Sequence, residues 1–235
     1  MGRQGTGVLS LAQRRKPSSP SPDRSAIVIT DMDSKQHWEA VYRTKAADAL
    51  SWYRPHLDTS LRLIDRFAPG LGANIIDAGG GESTLVDDLL ARGYEHVTVA
   101  DVSSIALDVA RRRLGDAASR VRWMDADITQ ADLPANEYDV WHDRAVFHFL
   151  TERAARRAYV ERLSASLKSG GCVVIATFGP AGPARCSGLD VVRYGPDELS
   201  RELGAGFALV EASYETHRTP ADAAQQFLHC VFRKA

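Results

Sequence analysis

Ile75-Ile76-Asp77-Ala78-Gly79-Gly80-Gly81-Glu82-Ser83-Thr84 is the stretch on which the reading of this chain turns. A short apolar run, Ala73-Asn74-Ile75-Ile76, stops at an acid and three glycines. Helical spacing then resumes at Thr84-Leu85-Val86 and continues to Leu90, with Gly93 as its stop. A strand that becomes a helix through glycines lets the backbone approach a ligand closely, although a plain tight turn would use the same residues. The dinucleotide fingerprint G-x-G-x-x-G fails here, because the sixth position counted from Gly79 is Thr84. A nicotinamide oxidoreductase is therefore disfavoured. The pattern present is D-x-G-x-G, from Asp77 to Gly81.

Upstream of the turn, Ser60 to Phe67 reads as an amphipathic helix with Leu61, Ile64 and Phe67 on one face, ended by Pro69-Gly70. Downstream, His96 to Ala100 reads as a second strand ending at Asp101, and Ser103 or Ser104 can cap a helix through Leu114. Arg120 to Met124, Tyr138 to Trp141 and Cys172 to Phe178 read as further strands, with a helix over Thr151 to Leu167 that Gly170-Gly171 should end. Strands alternating with helices at this pace predict βαβ units and a parallel sheet. The alternation breaks down in the last third. A short helix over Pro196 to Leu203 is followed there by two successive strands, Phe207 to Tyr214 and Gln226 to Phe232.

Acids punctuate the strand ends. Asp101 stands about twenty residues after the turn, where a carboxylate can accept both hydroxyls of a ribose. Asp127 follows the third strand, where an acid can accept from an adenine amino group while Ile128 packs on the ring. Either acid alone could be a solvated strand end; three such features in register are harder to dismiss.

These residues resemble the class I S-adenosylmethionine-dependent methyltransferases. Asp77-Ala78-Gly79-Gly80-Gly81 is similar to their first motif, Val99-Ala100-Asp101-Val102-Ser103 to their second-strand motif and Asp125-Ala126-Asp127 to their adenine motif. Tyr138-Asp139-Val140-Trp141 resembles the strand beside the reactive methyl. The resemblance covers about residues 34–235 and departs at Ser83, where many members carry a third glycine. It implies an α/β, Rossmann-like, doubly wound sheet of seven strands in the order 3-2-1-4-5-7-6, with strand 7 antiparallel and helices on both faces. It also implies S-adenosylmethionine as cofactor, with Asp77, Gly79 and Gly81 framing the methionine part, Asp101 and Val102 at the ribose, and Asp127 and Ile128 at the adenine. His142 should contact it through its backbone. A second resemblance lies in His37-Trp38-Glu39-Ala40-Val41-Tyr42 with the later Trp52, similar to the upstream segment of the eukaryotic lysine methyltransferase-like group. Aromatic faces attract a sulfonium cation, so Trp38, Tyr42 and Trp52 are candidate cofactor contacts. They could equally staple an N-terminal helix to the core.

In this fold the methyl group faces the carboxyl ends of strands 4 and 5. Asp143, Arg144 and His148 are therefore the candidate catalytic residues: Asp143 or His148 as a base, Arg144 as a bidentate partner for a substrate carboxylate. An Asp143–Arg144 brace with a packed His148 is the alternative. Methyl transfer depends mainly on alignment and requires no metal. Gly179 to Leu189 has the glycines and prolines of a shaped lid, which makes Cys186, Arg193 and Tyr194 candidate substrate contacts.

The whole composition agrees with an enzyme of this kind. Hydrophobic residues make up 44% and charged residues 25% of the 235, enough for one packed domain. The net charge of −1 divides unevenly, with +4 in residues 1–24 and near −5 in the remainder. Residues 1–33 are expected to be a disordered basic tail, preceding a methyltransferase domain over 34–235. An Arg-rich start could also be a transit peptide, and Met1-Gly2 with Thr6 matches a myristoylation pattern. The acidic body argues against a nucleic-acid partner, and no apolar run reaches the roughly 18–20 residues that span a bilayer. Three scattered cysteines suggest a reducing, cytoplasmic setting and no metal centre. The expected activity is methyl transfer from S-adenosylmethionine to N, S or O of a small molecule. Protein lysine methylation and a catalytically silent binding module are the alternatives.

Overall fold

Strands whose residues are apolar on both faces must be covered on both faces, and the central strands here are of that kind. The computed structural model describes residues 1–2 and 31–235. The expected tail, and with it the transit-peptide and myristoylation readings, lies almost wholly outside the described residues. The described chain begins with helix α1 (Asp31–Thr44), then α2 (Asp58–Phe67). The alternating core follows: β1 (Asn74–Ala78), α3 (Leu85–Ala91), β2 (His96–Asp101), α4 (Ser104–Leu114), β3 (Val121–Asp125) and β4 (Tyr138–Arg144). After α5 (Arg153–Ser166) come β5 (Leu167–Phe178), the two-residue strands β6 (Arg185–Cys186) and β7 (Leu189–Asp190), α6 (Pro196–Leu203), β8 (Phe207–Arg218) and β9 (Ala224–Lys234).

The main sheet has seven strands in the order β3-β2-β1-β4-β5-β9-β8. β1 to β5 are parallel, and β9 is antiparallel to both β5 and β8. With β6 and β7 set aside as a separate small hairpin, this is the expected order, with β9 as the antiparallel seventh strand. Period-two alternation sorts the side chains between two cores. Ile76, Trp141, Val173 and Ile175 pack with Tyr159 and Leu163 of α5 and Leu199 of α6. Ile75, Val140, Cys172 and Val174 pack on the other face with Leu61 and Ile64 of α2, Leu85 and Leu89 of α3, and Leu107 of α4.

The C-terminal end of α5 differs from expectation. The helix stops at Ser166, and β5 begins at Leu167, before Gly170-Gly171. Leu167 already pairs with Tyr138, and Lys168 reaches Asp139 at 2.8 Å, so β4 captures the chain ahead of the glycines. The hairpin β6–β7 has no counterpart in the sequence pattern, since strands of two residues carry no periodicity.

A buried network sets the turn after β4. The indole Nε1–H of Trp141 donates to Tyr159 Oη at 2.7 Å, and the Tyr159 hydroxyl donates to Asp143 Oδ2 at 2.6 Å. The Asp143 carboxylate also accepts the backbone N–H groups of Val146 and Phe147, at 2.9 and 3.1 Å. Burial pushes the Asp143 carboxyl up to about 6, opposed by these hydrogen bonds. Tyr159→Phe removes the hydroxyl and leaves a buried indole N–H without its acceptor. It is expected to lower stability by about 1–3 kcal/mol in urea unfolding. An unchanged midpoint would mean that the network carries no net stability.

The glycine turn is held as tightly. The N–H groups of Gly79 and Gly80 both donate to Ala100 O, at 2.7 and 3.2 Å, which ties β1 to β2. Gly79 has φ +72, and a Cβ on it would collide with Val146. Gly79→Ala should therefore destabilise the protein by about 1–3 kcal/mol in the same assay, from a left-handed backbone and a clash together.

Candidate functional site

The carboxyl ends of β1 to β5 open onto one cleft of about 1100 Å³, its mouth included. It lies where the winding of the sheet reverses between β1 and β4, the place at which open α/β sheets bind ligands.

On the β1–β3 side the wall is built from the turn and the strand-end acids. Asp77, Gly79, Gly80, Ser83, Asp101, Val102, Asp127 and Ile128 all line it. Gly81 stands just behind, with φ +50; a Cβ there would come within 2.6 Å of Tyr42 Oη and 3.2 Å of Asp101 Oδ2. The glycine thus keeps open a gap between a phenol and a carboxylate. Ser83 has a use of its own: its Oγ accepts the Leu85 N–H at 3.2 Å, at the start of α3. Asp101 is 7% exposed, and its Oδ1 accepts the Ser103 N–H at 2.8 Å. Burial pushes its carboxyl up to about 7, in spite of that bond. Asp127 Oδ1 accepts both the N–H and the hydroxyl of Thr129, at 2.8 and 2.7 Å, which fixes the loop after β3.

His142 faces Asp77 across the β1–β4 pair. Its Nδ1 lies 2.7 Å from Asp77 Oδ1 and its Nε2 lies 2.9 Å from Ser60 Oγ. A neutral ring that donates to Asp77 accepts from Ser60. The acid–imidazole–hydroxyl order looks like a nucleophile relay, yet Ser60 is 2% exposed on α2 and is not part of the cleft wall. The arrangement braces the switch point instead.

Aromatic rings form the outer wall. Trp38 and Tyr42 of α1 meet Trp52, with ring centroids 5.8 and 6.3 Å from its indole, and Trp38 stands edge-on to Phe149 at 4.9 Å. All four line the cleft. Lys35 bonds to Asp125 at 2.7 Å, and Ser104 to Glu39 at 3.2 Å, which holds α1 over the ends of β3 and α4.

The β4–β5 side departs from the sequence reading at four residues. Asp143 points into the core network already described, and not into the cleft. His148 is fully buried, its Nδ1 accepts the Phe178 N–H at 3.1 Å, and its ring packs on Phe149 and Phe178. Burial lowers its pKa to about 3, so it is neutral and its Nδ1 lone pair is occupied. It is no base for the cleft. Arg193 donates to the carbonyls of Pro180 and Gly182, at 3.2 and 3.4 Å, and ties the loop down from outside. Tyr194 is buried against Phe147 and Leu199. Neither lines the cleft. Arg144 and Cys186 do, and so do Phe178 and Phe227, which the sequence reading missed. Phe178 and Phe227 pair directly between β5 and β9. Only the antiparallel pairing of distant strands brings them together, so no local pattern could have marked them. Burial raises the Cys186 thiol pKa, and its Sγ lies 4.0 Å from Ser51 Oγ.

Residues 75–171 match the methyltransferase domain family. Human EEF1A lysine methyltransferase 2 is 22% identical over 228 residues, covering 89% of this chain and 88% of that one. An uncharacterized methyltransferase of Mycobacterium tuberculosis is 32% identical over 117 residues, 49% of this chain and 56% of the relative. Among solved structures, the Burkholderia thailandensis 1,6-didemethyltoxoflavin-N1-methyltransferase superposes with a TM-score of 0.62 at 23% identity, covering 94% of this chain and 93% of that one. That protein was solved with 1,6-didemethyltoxoflavin and S-adenosylhomocysteine bound. The family match runs from β1 into β5 and so takes in the glycine turn, the strand-end acids and the switch point: over those residues the chain carries a methyltransferase domain, set in the Rossmann-like methyltransferase fold.

Proposed function

We propose that this methyltransferase modifies a small molecule held at the β4–β5 side of the cleft, with the cofactor on the β1–β3 side. The residues present fit S-adenosylmethionine. The gap kept open by Gly81 between Tyr42 and Asp101 would be filled by any side chain. Asp101 is a buried carboxylate with room for a vicinal diol to donate to it, and Ile128 offers an apolar face for an adenine beside Asp127. Asp77, Gly79 and Gly81 would frame the methionine part, along with Val102 at the ribose and the His142 backbone. Trp38, Tyr42 and Trp52 would offer aromatic faces to the sulfonium. When bound, the cofactor supplies a methyl group already activated for in-line displacement. The chain's own part is to align the acceptor and exclude water, since Asp143 and His148 are committed to the core.

The observation that carries the small-molecule reading is the charge at the acceptor end. That wall presents the Arg144 guanidinium among Trp52, Phe178, Phe227 and Cys186. The acids that act on it are engaged: Glu215 binds Arg54, Thr59 and His229, and Asp77 binds His142. A lysine ammonium entering here would meet a like charge and no spare carboxylate. The similarity to human EEF1A lysine methyltransferase 2 favours the lysine reading as the alternative. No described helix is long and apolar enough to cross a membrane.

Two measurements test these assignments. Incubating the protein with methyl-labelled S-adenosylmethionine and a cell lysate should place label in the low-mass fraction. Label in a protein band would overturn the small-molecule reading. The ribose assignment is tested by pH. Hydroxyl donors need Asp101 ionised, and its pKa near 7 leaves about nine-tenths ionised at pH 8 and about one-tenth at pH 6. Calorimetric affinity for S-adenosylhomocysteine should therefore weaken about tenfold from pH 8 to pH 6. Asp101→Asn should bind more weakly at pH 8 and lose this dependence. Normal affinity in that variant would sink the assignment.

A further inference from the structure

Arg144 is the only arginine or lysine on the cleft wall among the described residues. One of its N–H groups donates to Trp52 O at 2.9 Å, and its guanidinium lies over the Phe227 ring, 4.7 Å from the centroid. No described carboxylate forms an ion pair with it. The nearest candidate, Glu215, has Oε1 on Arg54 at 3.1 Å, and Oε2 on Thr59 at 2.7 Å and His229 at 3.3 Å. Asp77 is turned to His142. The guanidinium is partly buried in the cleft wall without an ion-paired carboxylate, and desolvation, the largest cause, lowers its pKa to about 10. A bare stability argument would favour an uncharged residue here. On the cleft side its surroundings are apolar and largely aromatic, where Trp52, Phe149, Phe178, Phe227 and Cys186 form one packed group; on the other side it borders Arg54, Ser60, Glu215 and His229.

We propose that Arg144 anchors a carboxylate, or an anion of like shape, on the methyl-accepting molecule, and that this acceptor is a flat, largely apolar anion. The proposal rests on the small-molecule reading and narrows it to a substrate class. A guanidinium matches a carboxylate through paired N–H donors, and the aromatic walls match a planar body. A carboxylate gripped in this way is a weak nucleophile, so it serves as the handle, and the accepting atom lies elsewhere in the same molecule. A carboxylate could also come from the amino-acid end of the cofactor. The position of Arg144 favours the acceptor. It is in register with Ala176 of β5 and stacked on β9, across the cleft from the acids of β2 and β3.

The test uses benzoate and its neutral isostere benzamide as probes of the full chain. With S-adenosylhomocysteine saturating, calorimetry should show benzoate binding at least tenfold more tightly than benzamide. Arg144→Met should erase that preference while the affinity for S-adenosylhomocysteine stays within threefold. Arg144→Lys should keep part of the preference, because it retains charge but loses the fork. Equal binding of the two probes by the wild-type protein, or no binding of benzoate, overturns the proposal. A tenfold or greater loss of S-adenosylhomocysteine affinity in a folded Arg144→Met protein assigns the guanidinium to the cofactor and overturns it too. If that variant does not fold, the wild-type protein still decides the source. Benzoate should bind equally well beside S-adenosylhomocysteine and beside methylthioadenosine, which lacks the amino-acid end. Benzoate excluded by the first and admitted by the second overturns the proposal. Label in the low-mass fraction without a preference for benzoate would retire the anchor alone; label in a protein band would retire the small-molecule reading itself.

Discussion

A carboxylate and an imidazole, buried together 2.7 Å apart, join the two strands between which the sheet reverses its winding. Asp77 on β1 and His142 on β4 are paired in register, and Ser60 closes the other side of the ring. Everything that forms the cleft hangs from these two strands. The glycine turn leaves β1 two residues after Asp77, and the Asp143–Tyr159 network begins one residue after His142. Losing either partner would leave a polar group buried without its mate in the middle of the sheet, where water cannot replace it. The acids at the ends of β2 and β3 and the rings of α1 are placed relative to this pair.

The parallel core was legible because its signals are local. Apolar runs ending in acids, caps before helices and a glycine turn each act over a few residues, so β1 to β3 fall within a residue or two of where spacing puts them, while β4 starts at the expected Tyr138 and runs three residues past Trp141. The aromatic wall was partly legible for the same reason: Trp38, Tyr42 and Trp52 are conspicuous in so short a stretch. The segment from Asp143 to Phe149 was not. β4 runs on past Trp141 to Arg144, so alternation puts Asp143 on the α5 face with Trp141 and turns Arg144 to the cleft with His142, before Ala145, at φ +73, ends the strand. With the strand read as stopping at Trp141, spacing could not tell which of Asp143 and Arg144 faces the cleft. His148 was misread because a histidine near a reaction centre invites a chemical role, whereas its ring is held by the Phe178 N–H. Phe178 and Phe227 escaped notice because their partnership is nonlocal.

The charges of the cleft are arranged so that the protein alone satisfies some and leaves others wanting. Asp127 and Asp77 each have one carboxylate oxygen engaged, by Thr129 and His142, and they shape the wall. Asp101 and Arg144 are different: burial works against the charged form of each, upward for the acid and downward for the cation. They lie on opposite sides of the cleft. Their placement separates a region suited to hydroxyl donors from one suited to an anion, and a ligand that met either need would also add to the stability of the fold.

The walls of the cleft are drawn from distant parts of the chain. The segment matched to the methyltransferase domain ends at Gly171. Trp38 and Trp52 lie before it, and Phe178, Cys186 and Phe227 after it. The block matched to the family is continuous and holds Arg144 and Phe149, while Trp52, Phe178, Cys186 and Phe227 of the same wall belong to flanking sequence. Drift in those flanks can alter what is methylated without disturbing the glycine turn, which is one physical route by which a common fold acquires unlike substrates. The same division sets an order in synthesis. Phe227 lies on β9, so this wall cannot close until β9 has left the ribosome and paired with β5.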